Sequence, residues 1–200
     1  MANNLLAVYS YTAAMRAVSL CFFAFLLCVS FSGEDKIKWK ADRPLSWKDF
    51  KGKHETNTGL HAFTYTEIAL KMLDHESPDS LLFEVICTFD KTKSSVLKGK
   101  ETDSLLKHEQ GHFDLGEIYT RLIRKKISET VFKSATISQQ LNTIYKACFD
   151  QYVKEQDKYD LETDHSMNGA SQGLWNIAIQ RRLKELEKFG HTAVSAGVKK

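Results

Sequence analysis

The sequence has little imbalance of charge. Its 28 basic residues stand against 25 acidic residues, which gives a formal net charge of +3. Residues 1–32 contain Arg16 and no acidic residue, so the remaining chain carries 3 − 1 = +2. Such a balance gives no reason to expect a nucleic acid or an anionic membrane as partner. The basic stretches 91–100 and 121–126 are therefore interpreted as solvated faces.

Cysteine is also scarce. Two of the four cysteines, Cys21 and Cys28, lie in the apolar segment near the N-terminus. The other two, Cys87 and Cys148, allow at most one disulfide, and the alternative is a pair of buried thiols.

The chain has no internal repeat and no low-complexity tract, and its 200 residues suffice for one hydrophobic core. We therefore expect a single domain.

The first 32 residues have the pattern of a secretory signal peptide. Arg16 supplies the positive region, residues 18–29 the apolar region, and Ser30-Phe31-Ser32 a small-x-small cleavage site. This pattern predicts a secreted or periplasmic protein. The alternative is an uncleaved membrane anchor, because the apolar run is only slightly shorter than a membrane-spanning helix.

The remaining chain changes its hydrophobic period near the middle. Residues 61–73 and 81–89 alternate like strands, whereas apolar residues recur in steps of three and four over 104–129, 136–158 and 171–190. The predicted fold class is α+β, with a small antiparallel sheet in the N-terminal half packed on three helices. Residues 191–200 show no pattern and are predicted to form a disordered tail.

The first of these helices carries the pattern H-E-x-x-H. On a helix, His108 and His112 lie one turn apart on the same face, with Glu109 on its flank. Two neutral imidazoles at this spacing can occupy two positions of a zinc site, and the carboxylate can take a proton from water there. Gly111 is unusual inside a helix. Its missing side chain indicates either room for a chain or substrate near the metal, or tight packing against a strand.

A catalytic zinc site needs a third protein ligand. The segment 159–168 is rich in candidate ligands, and no histidine follows His112 at short range. We expect His165 to be the third ligand, with Glu162 as the alternative. If Glu162 binds the metal, His165 lies one turn away and can donate a hydrogen bond to a developing oxyanion.

A different metal site is also compatible with part of this pattern. Glu109 and His112 form one E-x-x-H pair, and Glu162 and His165 form another. A di-iron carboxylate protein uses two such pairs together with glutamates from two further helices. Because residues 37–90 are predicted to form strands, the two further helices are missing, and this alternative ranks last.

Three groups of residues resemble the bacterial family DUF922, whose members are regarded as secreted zinc-dependent proteases on the basis of the motif. They are Leu45 to Gly52, His108 to Asp114, and Tyr159 to His165 followed by Gln172-x-x-Trp175. The resemblance implies a zincin-like metallopeptidase domain over residues 33–190, with the H-E-x-x-H motif on its first long helix. It implies His108 and His112 as ligands and Glu109 as base, and it singles out Tyr159, Asp160, Thr163 and His165 without assigning roles. Ser166 stands where many members have glycine.

The resulting hypothesis is an exported metallopeptidase. Zn²⁺ on His108, His112 and His165 polarises the substrate carbonyl, and Glu109 acts as general base and then as proton donor. Tyr159 is the candidate for stabilising the oxyanion, while Asp160 and Asp164 are candidates for orienting the imidazoles. The expected partner is a peptide or protein substrate, with no stable membrane insertion after signal cleavage. The rival is a non-catalytic exported envelope or binding protein whose metal is structural or absent.

Overall fold

The computed structural model describes residues 7–10, 35–55, 59–77 and 79–200. In these ranges most of the strands precede the three long helices, an α+β arrangement that confirms the predicted fold class. The strands are β1 (Ala7–Ser10), β2 (Lys36–Lys38), β3 (Ala62–Phe63), β4 (Thr66–Ser77), β5 (Ser80–Asp90), β6 (Ser95–Val96), β7 (Phe132–Lys133) and β8 (Ala193–Lys199). The α-helices are α1 (Asp103–Ser128), α2 (Ile137–Thr163) and α3 (Gly169–Glu185).

The sheet is built on the antiparallel hairpin of β4 and β5. β1 pairs with the outer edge of β4, while β8 and β2 share the other edge of β5. β7 pairs with β8 in parallel, so the sheet is mixed rather than purely antiparallel. β3 and β6 form a separate two-stranded sheet, which lies beside α1 and reaches the candidate site described below.

The prediction that residues 191–200 form a disordered tail is wrong. β8 pairs with the first half of β5, with Leu81 opposite Ala196 and Phe83 opposite Val194. Its alternate residues Val194, Ala196 and Val198 face the core, and Ala196 is buried. This alternation of small apolar residues is short, and the strand depends on pairing with β5 rather than on its own propensity.

Helix α1 packs on the sheet and contributes one face to the main hydrophobic core. Its N-cap is Thr102, whose side chain accepts a hydrogen bond from the Leu105 N–H. Leu115, Ile118 and Ile123 are fully buried in the main hydrophobic cluster. Burying a side chain of this size contributes roughly 1.5–3 kcal/mol to folding, so this face fixes the helix on the sheet.

Two arginines of α1 are buried, which corrects the interpretation of 121–126 as a solvated face. Arg124 donates from Nε and Nη2 to the Val85 carbonyl oxygen at 2.9 and 2.7 Å. Arg121 donates to the Leu183 carbonyl oxygen at 2.6 Å. Both arginines donate to Glu117 Oε1 at 2.9 Å. A buried charge is tolerated only when it is paired, and here the paired charges connect α1 to β5 and to the end of α3.

Helix α2 extends further than the periodicity predicted. It runs to Thr163 instead of ending near Lys158. The predicted apolar stripe is confirmed, since Tyr145, Cys148 and Tyr152 are buried in the core. The residues after 158, which were predicted to lie outside the helix, are therefore helical as far as Thr163. This additional turn carries Asp160 toward the histidines of α1.

Both cysteines of the described chain are buried free thiols, which selects the second alternative for Cys87 and Cys148. The predicted signal peptide falls outside the described residues except for residues 7–10, so its cleavage stays a prediction. Among the residues that the structure describes, no helix has the length and apolar content that crossing a membrane requires.

Candidate metal centre

The two motif histidines meet on one face of α1, as the spacing predicted. Their Nε2 atoms lie 3.1 Å apart, and their ring centroids are separated by 4.7 Å. The side chains are largely shielded, with exposed fractions of 2% for His108 and 13% for His112. Two imidazole nitrogens this close, in a mostly dry environment, can share a ligand or an ion between them.

The last turn of α2 places a carboxylate directly against both imidazoles. Asp160 Oδ1 lies 3.1 Å from His108 Nε2 and 2.9 Å from His112 Nε2. The sequence had assigned Asp160 to orienting ligand imidazoles. The structure instead brings it to the same nitrogen atoms that a metal ion would use.

These close contacts shift the protonation equilibria of the site. Burial by itself lowers the pKa of His112, but the charge and hydrogen bond of Asp160 outweigh it and raise the pKa to about 9. Burial likewise raises the pKa of the Asp160 carboxyl, but the charges and hydrogen bonds of His112 and His108 hold it well below its ordinary value. An acidic group with this environment, in a pocket, is typical of a functional site.

His165 reaches the same cluster from a left-handed turn after α2. Asp164, His165 and Ser166 have φ angles of 48°, 47° and 80°. This is a conformation that residues other than glycine adopt at a cost. The turn brings His165 Nδ1 to 3.5 Å from Asp160 Oδ1, although 53% of the histidine side chain remains exposed. Donor atoms of His108, Asp160 and His165 all lie within 4.8 Å of one another.

Two glutamines hold the histidine rings. Gln156 Oε1 lies 2.6 Å from His112 Nδ1, and Gln172 Oε1 lies 3.1 Å from His108 Nδ1. With an amide oxygen as acceptor, each Nδ1 carries a proton, so the neutral form of each imidazole has its lone pair on Nε2, the atom that a metal would bind. Sequence reasoning missed Gln156 in this role. Its spacing of four from Tyr152 places it on the buried stripe of α2, and a glutamine at a core position is the signal that could have found it.

Glu109 is buried beside the histidines and faces the same pocket. Its Oε2 atom accepts a hydrogen bond of 2.6 Å from the hydroxyl of Thr64, which lies between β3 and β4. The opposite wall of the pocket is formed by the segment around β3. Pocket-lining side chains outside α1 include Leu60, His61, Phe63, Thr66, Tyr152, Gln156, Asp160 and His165.

Tyr159, the predicted oxyanion donor, lies behind the histidines instead of in the pocket. Its hydroxyl donates to the His108 carbonyl oxygen at 3.1 Å and accepts from Gln172 Nε2 at 2.7 Å. Its ring stacks on the His108 imidazole with centroids 4.7 Å apart and 13° between the planes. The side chain is fully buried. This position supports the imidazole rather than a substrate.

Gly111 is explained by the same tyrosine. A Cβ atom at position 111 would lie 2.2 Å from the Tyr159 hydroxyl oxygen. Of the two alternatives for this glycine, tight packing is therefore the correct one, although the neighbour is helix α2 and not a strand. The close approach of α2 to α1 is what allows Asp160 to reach the histidines.

Glu162, the alternative third ligand, is turned away from the histidines. Its Oε2 atom accepts from Trp175 Nε1 at 2.9 Å, and Oε1 lies 3.7 Å from Lys158 Nζ. Asp164 caps α2 through its backbone and is exposed. Neither residue belongs to the cluster of donor atoms that the structure brings together.

The donor set fits a zinc ion. It combines imidazole nitrogens with one carboxylate oxygen, which are ligands that Zn²⁺ accepts. The Nε2 atoms of His108 and His112 and the Oδ1 atom of Asp160 lie within 3.1 Å of one another. Each imidazole has an amide acceptor on its far nitrogen, as metal-binding histidines usually do.

The part of the chain that carries these donors matches a described family. Residues 100–166 match DUF922. The family model is described as a bacterial protein of unknown function. The DUF922 segment spans α1, α2 and the left-handed turn, and so includes every metal-donor candidate of the cluster. The match covers less of the chain than the segments of the resemblance, which extend from Leu45 to Trp175. No curated protein and no solved structure shows a significant match to the chain.

Proposed function

We propose that the chain is a zinc-dependent hydrolase that cleaves peptide bonds. The observation that carries this proposal is the pocket that brings together the two histidines of α1, the carboxylate of Asp160 on α2 and the buried carboxylate of Glu109 on α1. A buried acid beside metal donors is the arrangement needed for general base catalysis on water. The predicted signal peptide supports a site of action outside the cytoplasm.

We assign His108, His112 and Asp160 as the zinc ligands. Asp160 takes the place of the expected third ligand His165 and of its alternative Glu162, because its Oδ1 atom lies within 3.1 Å of the Nε2 atoms of both histidines. His165 is close enough to serve as a fourth donor from the exposed side of the cluster. This ligand set keeps His108 and His112 and moves the third ligand from the turn after α2 to the last turn of α2.

Zinc, when bound, supplies a Lewis acid that polarises a carbonyl oxygen and activates water. The chain's own residues do the rest. Glu109 takes a proton from the attacking water and returns it to the leaving amine nitrogen. By accepting from Nδ1, Gln156 and Gln172 select the tautomer of the neutral imidazoles that has its lone pair on Nε2, and Tyr159 keeps the His108 ring in place by stacking.

A second candidate is a structural zinc site in a non-catalytic exported protein. The observation that favours it is the proximity of a fourth donor, His165, because four protein ligands close a site to water. In a closed site, His165→Ala lowers zinc affinity by more than about 100-fold, whereas in an open site the affinity stays within about tenfold. His191→Ala, at an exposed position, is the matched control.

The test of the hydrolase is digestion of a peptide library by zinc-loaded full-length protein. Wild type is expected to cleave, and Glu109→Gln is expected to retain zinc and lose at least about 100-fold in rate. Glu129→Gln, at the exposed C-terminal end of α1, is the control and should behave as wild type. Retained zinc without cleavage in the wild type would contradict the enzyme and favour the structural site.

A further inference from the structure

The strongest unassigned feature of the pocket is the contact between Thr64 and Glu109. The Thr64 hydroxyl lies 2.6 Å from Glu109 Oε2 and 3.5 Å from the Glu109 carbonyl oxygen. A threonine hydroxyl has one proton to donate, and the shorter contact identifies the carboxylate as its acceptor. The separation of 2.6 Å is within the range of a charge-assisted hydrogen bond.

Both partners are shielded from water. Thr64 is 9% exposed and Glu109 is 3% exposed. Water competes less for a buried hydrogen bond than for one at the surface. The bond from Thr64 therefore fixes the orientation of the Glu109 side chain more strongly than an exposed bond would. Glu109 also lines the pocket, which leaves its second oxygen for a ligand.

The backbone around Thr64 is fixed on both sides. Phe63 pairs with Ser95 in the two-stranded sheet, and the Tyr65 N–H donates to Ser94 Oγ at 2.9 Å. The Tyr65 carbonyl oxygen accepts from the Asp90 N–H at 3.0 Å. The hydroxyl is therefore delivered to Glu109 by a rigid corner of the fold rather than by a loose loop.

We propose that Thr64 is a positioning residue for the general base. It anchors Oε2 of Glu109 and thereby presents Oε1 to the water that attacks the substrate. This inference rests on the proposed function, because it needs Glu109 to act on water. Positioning of this kind matters, since a small misplacement of a catalytic group lowers the rate by orders of magnitude.

The chain offers well-matched variants. Thr64→Val keeps the shape and removes the hydroxyl, and Thr64→Ser restores a hydroxyl on a smaller side chain. Thr88→Val is the control, because Thr88 is buried and its hydroxyl has no hydrogen-bond partner among the described residues. If Thr64→Val does not fold, Thr64→Ala removes the same hydroxyl without branching at Cβ.

Kinetics on zinc-loaded full-length protein give the first readout. Thr64→Val is expected to lower kcat by about tenfold to a hundredfold with KM unchanged, because the hydroxyl touches Glu109 and not the substrate. Thr64→Ser should recover most of kcat, and Thr88→Val should match wild type. A rise in KM alone, or an unchanged kcat in Thr64→Val, overturns the inference.

A second readout does not depend on turnover. Zinc affinity should stay within about twofold in Thr64→Val, since the hydroxyl that is removed hydrogen-bonds to Glu109, which is not an assigned ligand. The affinity of the zinc-loaded protein for acetohydroxamate, which needs an oriented carboxylate beside the metal, should fall in Thr64→Val. In the Glu109→Gln background the same substitution should have no further effect.

These readouts distinguish a failure of the proposed function from a failure of the inference about Thr64. A wild type that binds zinc and acetohydroxamate but cleaves no peptide contradicts the proposed function, and the double-mutant cycle then decides the inference alone. Additive effects of Thr64→Val and Glu109→Gln on acetohydroxamate affinity show that Thr64 does not act through Glu109 and overturn the inference. Loss of zinc in Thr64→Val overturns it as well.

Discussion

The Oδ1 atom of Asp160 lies 2.9 Å from the Nε2 atom of His112, across the interface between α2 and α1. This contact joins two residues that are separated along the chain by the rest of α1, by β7 and by most of α2. It turns a two-histidine motif into a set of three donors. The same contact explains the raised pKa of His112 and the lowered pKa of Asp160.

Replacing Asp160 by asparagine should reduce zinc affinity more than any change outside the ligands. Loss of an orienting residue around a metal site costs about 10–100-fold in affinity, and loss of a ligand costs more. We therefore expect Asp160→Asn to weaken zinc binding by more than about 100-fold in a competition assay with a chelator. Asp164→Asn is the control, since asparagine tolerates the left-handed conformation of that residue. Equal zinc affinities in both variants would remove Asp160 from the ligand set.

Zinc binding should release a proton near neutral pH. The pKa of His112 in the metal-free protein is about 9, so its imidazole is protonated at pH 7.5 and must lose that proton to bind zinc. Apparent zinc affinity should therefore rise by about tenfold per pH unit between pH 7 and 9 and level off above. Calorimetry in buffers of different ionisation enthalpy measures the released proton. Binding at pH 7.5 without proton release would mean that His112 is not a ligand.

The same pKa predicts how the stability of the metal-free protein depends on pH. The folded value for His112, about 9, lies above its ordinary value of 6.5. The paired imidazolium therefore stabilises the fold fully below about pH 6.5, and this contribution is lost as the pH rises through about 9. Replacing His112 by glutamine should remove this dependence from thermal unfolding measured between pH 6 and 10.

Two glycine substitutions should have opposite effects. Gly111→Ala adds a Cβ that would lie 2.2 Å from the Tyr159 hydroxyl, so α1 and α2 must separate. We expect a loss of about 1–3 kcal/mol in the free energy of unfolding. Gly173→Ala lies in α3, where nothing lies within 4 Å of the added atom, and should gain up to about 1 kcal/mol. Urea denaturation measures both, and equal signs for the two variants would contradict the packing of Tyr159 on Gly111.

Relieving the backbone strain at Ser166, in the left-handed turn after α2, gives another test. Ser166 has a φ angle of 80°, which costs a residue with a Cβ about 1–2 kcal/mol. Ser166→Gly should therefore raise the free energy of unfolding by about 1 kcal/mol, after the greater chain entropy of glycine is subtracted. Ser171→Gly, in the first turn of α3, should lower it instead. A destabilised Ser166→Gly would show that the serine makes a contact that outweighs its strain.

Much of the fold could be predicted from periodicity. The first helix and the strands β4 and β5 follow from the spacing of apolar residues. β8 did not, because a short alternation of small residues acquires meaning only beside β5. Arg124 was misjudged because a sequence does not reveal which basic residue will find buried carbonyl partners.

Some residues of the candidate site could likewise be predicted from the sequence, and others could not. His108, Glu109 and His112 could be found because their spacing is local to one helix. Asp160 could not be ranked above Glu162, since that depends on where α2 ends and which of its faces meets α1. The role of Thr64 could not be predicted from the sequence at all, because only the folded corner between β3 and β4 brings it to Glu109.

The metal centre is tested most directly by the zinc content of metal-free wild-type protein after equilibrium dialysis against micromolar Zn²⁺. About one zinc ion is expected per chain, with an affinity that falls when His112 or Asp160 is replaced. A wild-type protein that binds no zinc would contradict both the metal centre and the hydrolase built on it.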